Sequence, residues 1–191
     1  MSAREVFAEH CAVAARAAQE LPPVIEGIVA AAYECLRGGR KILACGNGGS
    51  AADAQHMVAE LIGRFCDERR PLPAIALTAD TATLTALGND YGYERVFARQ
   101  VEALAEPGDV LFAISTSGNS ANVVLAAQVA HERGCTVVAL TGQGGGRLGA
   151  HADLLLRAPS DVVARIQEVH TLSIHAIVES LDRLIREQAA S

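Results

Sequence analysis

His56 and Glu60 lie four residues apart in a stretch, Ser50 to Ile62, whose apolar positions recur at helical spacing, so an imidazole and a carboxylate share one helix face. Alone, such a pair is an ordinary solvated contact. Here it follows Gly46-Asn47-Gly48-Gly49-Ser50, a glycine-rich turn between the strand-like Lys41 to Cys45 and the helix itself. A second turn of the same design, Ser115-Thr116-Ser117-Gly118-Asn119-Ser120, follows the apolar run Val110 to Ile114 and opens an alanine-rich helical pattern. Its hydroxyls and the free N–H groups at the helix start are able to converge on one phosphate, with the positive end of the helix dipole behind them. A phosphate cradle beside an acid–base pair is the chemistry this spacing suggests.

The last long apolar pattern, from about residue 161 to 187, carries Gln167, Glu168, His170 and His175. Gln167, Thr171 and His175 recur every four residues and form a polar line that drifts slowly around the helix. Spacing does not choose between His170 and His175. Two histidines, Glu60 and the amide oxygen of Gln167 would make a nitrogen and oxygen site for a zinc-like ion. Gly88-Asn89-Asp90-Tyr91-Gly92-Tyr93 reads as a turn between two helices, in which Asp90 is able to accept hydrogen bonds from sugar hydroxyls. A third cluster, Gly142-Gln143-Gly144-Gly145-Gly146, reads as a mobile turn.

The elements that must position these groups alternate from Lys41 onward. Strands are expected at about 41–45, 74–78, 110–115, 136–141 and 153–157, and helices at about 50–62, 81–87, 93–104, 120–133 and 161–187. Such alternation predicts a three-layer α/β fold with a five-stranded parallel sheet. In the flavodoxin-like order 2-1-3-4-5 the switch point falls between strands 1 and 3, the two strands that the loops follow. Two amphipathic helices, about 2–20 and 23–37, are separated by Pro22-Pro23 and precede this core. A subunit interface is one place for their apolar faces. The chain reads as one domain over residues 1–191, with a helical hairpin for oligomerisation at 1–38 and the α/β core at 39–191.

Composition narrows the function classes. A formal net charge of −6 and a single lysine, Lys41, leave no basic surface for nucleic acid. Five cysteines without a Cys-x-x-Cys pair argue against a disulfide framework or a thiolate zinc site. The amino terminus lacks the apolar core of a signal peptide, and no run of about 18 apolar residues occurs, so a cytoplasmic protein without a membrane partner is expected.

Taken in order, Cys45-Gly-Asn-Gly-Gly-Ser50, Asp53-Ala-Gln-His56, Glu60, Gly88-Asn-Asp90, Ser115-Thr-Ser-Gly-Asn-Ser120-Ala-Asn122 and Arg165-Ile-Gln-Glu-Val-His170 resemble the phosphoheptose isomerases of the sugar isomerase (SIS) fold over essentially the whole chain. The resemblance implies conversion of sedoheptulose 7-phosphate, a phosphorylated seven-carbon sugar, to glycero-manno-heptose 7-phosphate, the first step toward the ADP-heptose of lipopolysaccharide cores. It implies substrate contacts at Asn47, Gly48, Gly49, Glu60, Asn89, Asp90, Ser115, Thr116, Ser117, Ser120 and Gln167. It also implies one zinc per subunit on His56, Glu60, Gln167 and His175, catalytic roles for Glu60 and His175, and a homotetramer with active sites between subunits. The choice of His175 over His170 comes from the resemblance alone. Ala164 stands where some relatives carry aspartate. A non-catalytic SIS-fold protein, a DnaA-associating replication initiator protein, is the rival reading; it replaces several of the chemical positions that this chain keeps.

Overall fold

The computed structural model describes residues 2–189. Five strands, β1 (Ile42–Gly46), β2 (Ala74–Ala76), β3 (Val110–Ile114), β4 (Thr136–Thr141) and β5 (Leu154–Arg157), form one parallel sheet in the order β2-β1-β3-β4-β5. This is the expected order. The alternation of side chains along each strand divides the interior in two. Ile42, Ala44, Val110, Phe112, Ile114, Val138 and Leu140 face one apolar cluster, shared with α1 (Ala3–Glu20), α2 (Pro22–Arg37), α3 (Gly49–Ile62) and α7 (Val163–Ala189). Leu43, Cys45, Leu111, Ala113, Val137 and Ala139 face the other, built with α4 (Thr81–Tyr91), α5 (Ala98–Leu104) and α6 (Ala121–Glu132). Strands covered on both faces need continuous apolar runs, which explains their composition.

Local chemistry sets the helix limits. Ser2 and Glu5 form a reciprocal capping box on α1, and Pro22 takes the first position of α2, where its missing N–H costs nothing. Much of α2 is buried within its own chain, through Ile28, Val29, Ala32, Cys35 and Leu36; α1 buries Val13 and Ala17 and leaves Phe7 exposed. Gly88 to Tyr91 correct the expected turn, because they form the last turn of α4, which stops at Gly92 with φ +82°.

Asp109 is fully buried and accepts from the backbone N–H groups of Lys41 at 3.0 Å and Glu106 at 2.8 Å, while its carboxylate pairs with Lys41 Nζ at 2.7 Å. The only lysine therefore works at the start of β1, the end of the sheet opposite both candidate loops. No helix among the described residues is long and apolar enough to cross a membrane.

The Arg165 to His170 motif divides its residues among three neighbours. Arg165 donates to Val6 O at 2.9 Å and pairs with Glu9 and Glu168, and Glu168 holds His10 Nδ1 at 2.7 Å, so these side chains fasten α1 to α7. His170 is fully buried and donates from Nε2 to Thr141 O at 3.0 Å, leaving Nδ1 bare and without a partner. Burial pushes its pKa down to about 4, partly opposed by the bond to Thr141. The unfolded chain, with an ordinary histidine pKa of about 6.5, binds the proton more readily, so stability is full above about pH 6.5 and is lost as pH falls toward 4. His170 is expected to remove about 2 kcal/mol of stability between roughly pH 7 and pH 5. Urea unfolding at the two pH values tests this: the native chain should lose about that much more than His170→Phe, and equal losses overturn it.

Candidate active site

Both loops leave the carboxyl ends of neighbouring strands, since Gly46 pairs with Ile114 in the sheet. The side-chain amides of Asn47 and Asn122 exchange two hydrogen bonds of 2.9 Å, and Tyr93 Oη donates to Asn47 Oδ1 at 3.1 Å. The first loop is thereby tied to the first turn of α6 and to the segment just after Asp90. Asn89 donates to Asp90 at 2.7 Å, and both side chains are exposed. In the second loop the Ser115 and Ser120 hydroxyls lie 3.1 Å apart, and Asn119 bonds back to Ser117 through its N–H at 3.1 Å and its amide at 2.9 Å. Ser120 holds the N-cap position of α6 without using its hydroxyl as a cap. At the start of α6 the N–H groups of Val123 and Val124 bond back to Ser120 O, whereas the amides of Ala121 and Asn122 ahead of them have no acceptor within the helix and suit an anion.

The candidate acid–base residues lie along a seam between α3 and α7, which run in the same direction. Gly49 lies against the Gln167 side chain, so closely that a Cβ there would come within 2.2 Å of Nε2. One turn on, Thr171 donates to Asp53 Oδ1 at 2.9 Å, and a turn further His175 Nε2 lies 3.5 Å from His56 Nε2. The offset between partners is 118, 118 and 119 residues, which is the signature of parallel helices in constant register. Glu60 Oε1 lies 3.2 Å from His56 Nε2, and the His56 and His175 rings meet edge to face with Phe65 beside the latter. Geometry thus separates the two histidines of α7: His175 faces His56, whereas His170 points at β4. Asp53 is almost fully buried with Oδ2 unpartnered, and burial raises its pKa against the opposing influence of Thr171 and His56.

Residues 7–142 match the family model of the SIS domain. The chain is 55% identical over 175 residues to a phosphoheptose isomerase of Shewanella loihica, covering 90% of this chain and 89% of that one. It is 50% identical over 188 residues to that of Shewanella denitrificans, covering 97% and 96%. The chain belongs to the SIS-domain phosphoheptose isomerases. Solved members from Neisseria gonorrhoeae (TM-score 0.90, 49% identity) and Francisella tularensis (TM-score 0.92, 44% identity) each cover 94% of this isomerase and 96% of their own chains.

One sequence expectation for this isomerase is corrected. The third glycine cluster is no free turn but a strap across the second loop: Gly142 N–H donates to Thr116 O at 2.9 Å, Leu148 N–H to Gly118 O at 2.8 Å and Arg147 N–H to Asn119 Oδ1 at 3.1 Å. Gly118 has φ +65°, and a Cβ on it would come within 2.1 Å of Gly145 O. The approach of two backbones demands glycine on both sides. Gly118→Ala is expected to cost about 1–3 kcal/mol of local strain and to weaken phosphate binding about tenfold. The inhibition constant of inorganic phosphate measures this, and an unchanged constant refutes it.

The donor set fits a metal in part. Two ligand atoms of one tetrahedral ion lie about 3.3 Å apart, close to the 3.2 Å and 3.5 Å that separate His56 Nε2 from Glu60 and His175. No three or more His, Cys, Asp or Glu side chains among the described residues converge as a complete centre. Gln167 is not with them. It faces Gly49, and eight residues of helix set it about 12 Å from His175. Cys45, just before the first loop, is no nucleophile, because burial pushes its thiol up to about 12. Sequence reasoning gave no role to Tyr93, Asn122, Asp53 or Arg147; each sits within or beside a quoted motif, but its partner is 28 or more residues away.

Proposed function

We propose that the chain catalyses aldose–ketose isomerisation of sedoheptulose 7-phosphate to D-glycero-D-manno-heptose 7-phosphate. The observation that carries the reading is the His56–Glu60–His175 cluster in a chain that also presents a neutral phosphate turn. Relatives of near-complete coverage carry the same name, and nothing favours the DnaA-associating reading. Ser115, Thr116, Ser117 and Ser120 hold the phosphate through hydroxyls and amides, while Asn47, Gly48, Gly49, Asn89 and Asp90 face the sugar. Glu60 takes a proton from C1, beside the C2 carbonyl, and the electron pair forms the C1–C2 double bond of an enediol(ate). His175 gives a proton to O2 and accepts one from O1; the proton on Glu60 returns to C2, which leaves the aldehyde at C1. Incubation of the purified protein with sedoheptulose 7-phosphate should yield the aldose, and its absence refutes the reading.

His56, Glu60, Gln167 and His175 would hold a zinc ion, one per subunit. A bound ion supplies polarisation of the C1 and C2 oxygens. With one oxygen on the ion, Glu60 would keep its other carboxylate oxygen for the C1 proton. Gln167 lies about 12 Å along α7 from His175, which supports drawing the four donors from two copies of the chain in a homotetramer with shared sites. Exposed Phe7, Ile62, Val163 and Leu172 supply apolar surface for that assembly. Location in the cytoplasm and a place in lipopolysaccharide core synthesis accord with such an enzyme. Chelation is expected to lower turnover at least about tenfold, with zinc restoring it, and full activity of metal-free enzyme reverses the assignment.

A further inference from the structure

Arg69 is a buried arginine that the reaction above does not use. It lies in the segment between α3 and β2, yet its side chain is only 1% exposed and turns back beneath the end of α3. Nη2 donates to Glu60 O at 2.7 Å and Nη1 to Leu61 O at 2.9 Å, with Gly63 O and Arg70 O at 3.2 Å and 3.1 Å. Nε donates to Asp182 Oδ1 at 2.5 Å, and Asp182 is 3% exposed on α7, two turns beyond His175. The other Asp182 oxygen has no partner, so its ordered contact is this one.

The final carbonyls of a helix lack intrahelical donors, and a cation there also meets the negative end of the helix dipole. Gly63 N–H satisfies Ala59 O and Leu72 N–H satisfies Leu61 O, which leaves Glu60 O as the carbonyl without a backbone donor. Arg69 closes it and adds a second donor to Leu61 O. The same guanidinium therefore fixes the turn that carries the Glu60 carboxylate and binds it to the helix that carries His175. It forms the last cross-link of the α3–α7 seam, after Gly49–Gln167, Asp53–Thr171 and His56–His175.

We infer that Arg69, held by Asp182, is a positioning residue that sets the Glu60 carboxylate against His56 and His175. The inference rests on the isomerase reading. An ion pair of this kind is poor evidence for a stability role, since replacing both members by apolar residues of similar volume is often neutral or stabilising, whereas removing one strands a buried charge. That asymmetry allows folding and positioning to be separated. The double variant Arg69→Met/Asp182→Leu is expected to fold, to lose about tenfold or more in kcat, and to keep KM for sedoheptulose 7-phosphate within about threefold, because displacement of a reacting group is costly while the phosphate turn lies elsewhere. Arg69→Lys, which keeps the charge on a single donor nitrogen, should recover part of the loss. Amide hydrogen exchange should rise at residues 60–63 and stay unchanged at 115–121 in the double variant. A folded double variant with native kcat overturns the assignment, as does a loss carried wholly by KM. If that variant fails to fold, Arg69→Gln/Asp182→Leu, which strands no charge and also removes the Nε contact, gives the same two readouts, and native kcat in it counts equally against the proposal. Lack of turnover by the native chain would refute the isomerase reading instead, and the exchange comparison would still decide whether Arg69 holds the Glu60 turn.

Discussion

Glu60→Gln is expected to lower kcat at least about a thousandfold while the chain folds and binds inorganic phosphate as before. A positioned general base contributes typically about 10²–10⁴, and glutamine at this position keeps the shape of the side chain but cannot accept the C1 proton. The surroundings explain why little else should change. Arg69 meets the main-chain carbonyl of residue 60, which the substitution leaves in place. The 3.2 Å contact with His56 Nε2 is open to the amide oxygen. The first loop is remote, since residue 60 lies about 16 Å along α3 from Gly49, and the Ser115 to Ser120 turn leaves the strand beside that loop. Two measurements read the result: turnover of sedoheptulose 7-phosphate, and exchange of its C1 hydrogen in deuterated water, which reports the first proton transfer without full turnover. Native rates of either in a folded variant would remove Glu60 from the base role.

The fold was largely legible because strands buried on both faces need unbroken apolar runs, and Lys41 to Thr141 shows them between helical stretches. Turn chemistry then located both loops after strands 1 and 3. Legibility ended where a partner is distant in sequence. Periodicity put Gln167, Thr171 and His175 on one line, but their association with Gly49, Asp53 and His56 depends on the register of two parallel helices, which no local pattern encodes. The same holds for the Asn47–Asn122 pair. It holds for the glycine strap too: Gly145 and Gly146 look like flexible turn residues until Gly118 is seen packed against them. Asn89 and Asp90 stand out by motif alone, and they close a helix rather than form a loop. Within one helix, spacing made His170 and His175 equivalent, and only the sheet on one side and α3 on the other distinguish them.

Two separately inactive variants are expected to regain activity when they assemble together. In one copy both loops and Gln167 stand at the start of the α3–α7 seam, while His56, Glu60 and His175 stand about 10–16 Å farther along it, and a seven-carbon sugar phosphate is too short to bridge a gap of this order on its own. A site between copies resolves this if the turn of one chain faces the carboxylate of another. Glu60→Gln spoils the second part and leaves the first. Ser117→Asp does the reverse: residue 117 is exposed, so the fold tolerates the change, but a carboxylate now occupies the anion turn and repels phosphate. Each variant alone should be nearly inactive. In randomly mixed oligomers of symmetric subunits, half of the turns and half of the carboxylates are native, so about one quarter of the sites combine two intact parts. Co-expression of the two variants with different affinity tags, isolation of the mixed species and assay of sedoheptulose 7-phosphate turnover should show recovery of that order. A site contained in a single chain has no intact copy in such mixtures, and the absence of recovery in a verified mixed oligomer would rule out sharing between subunits.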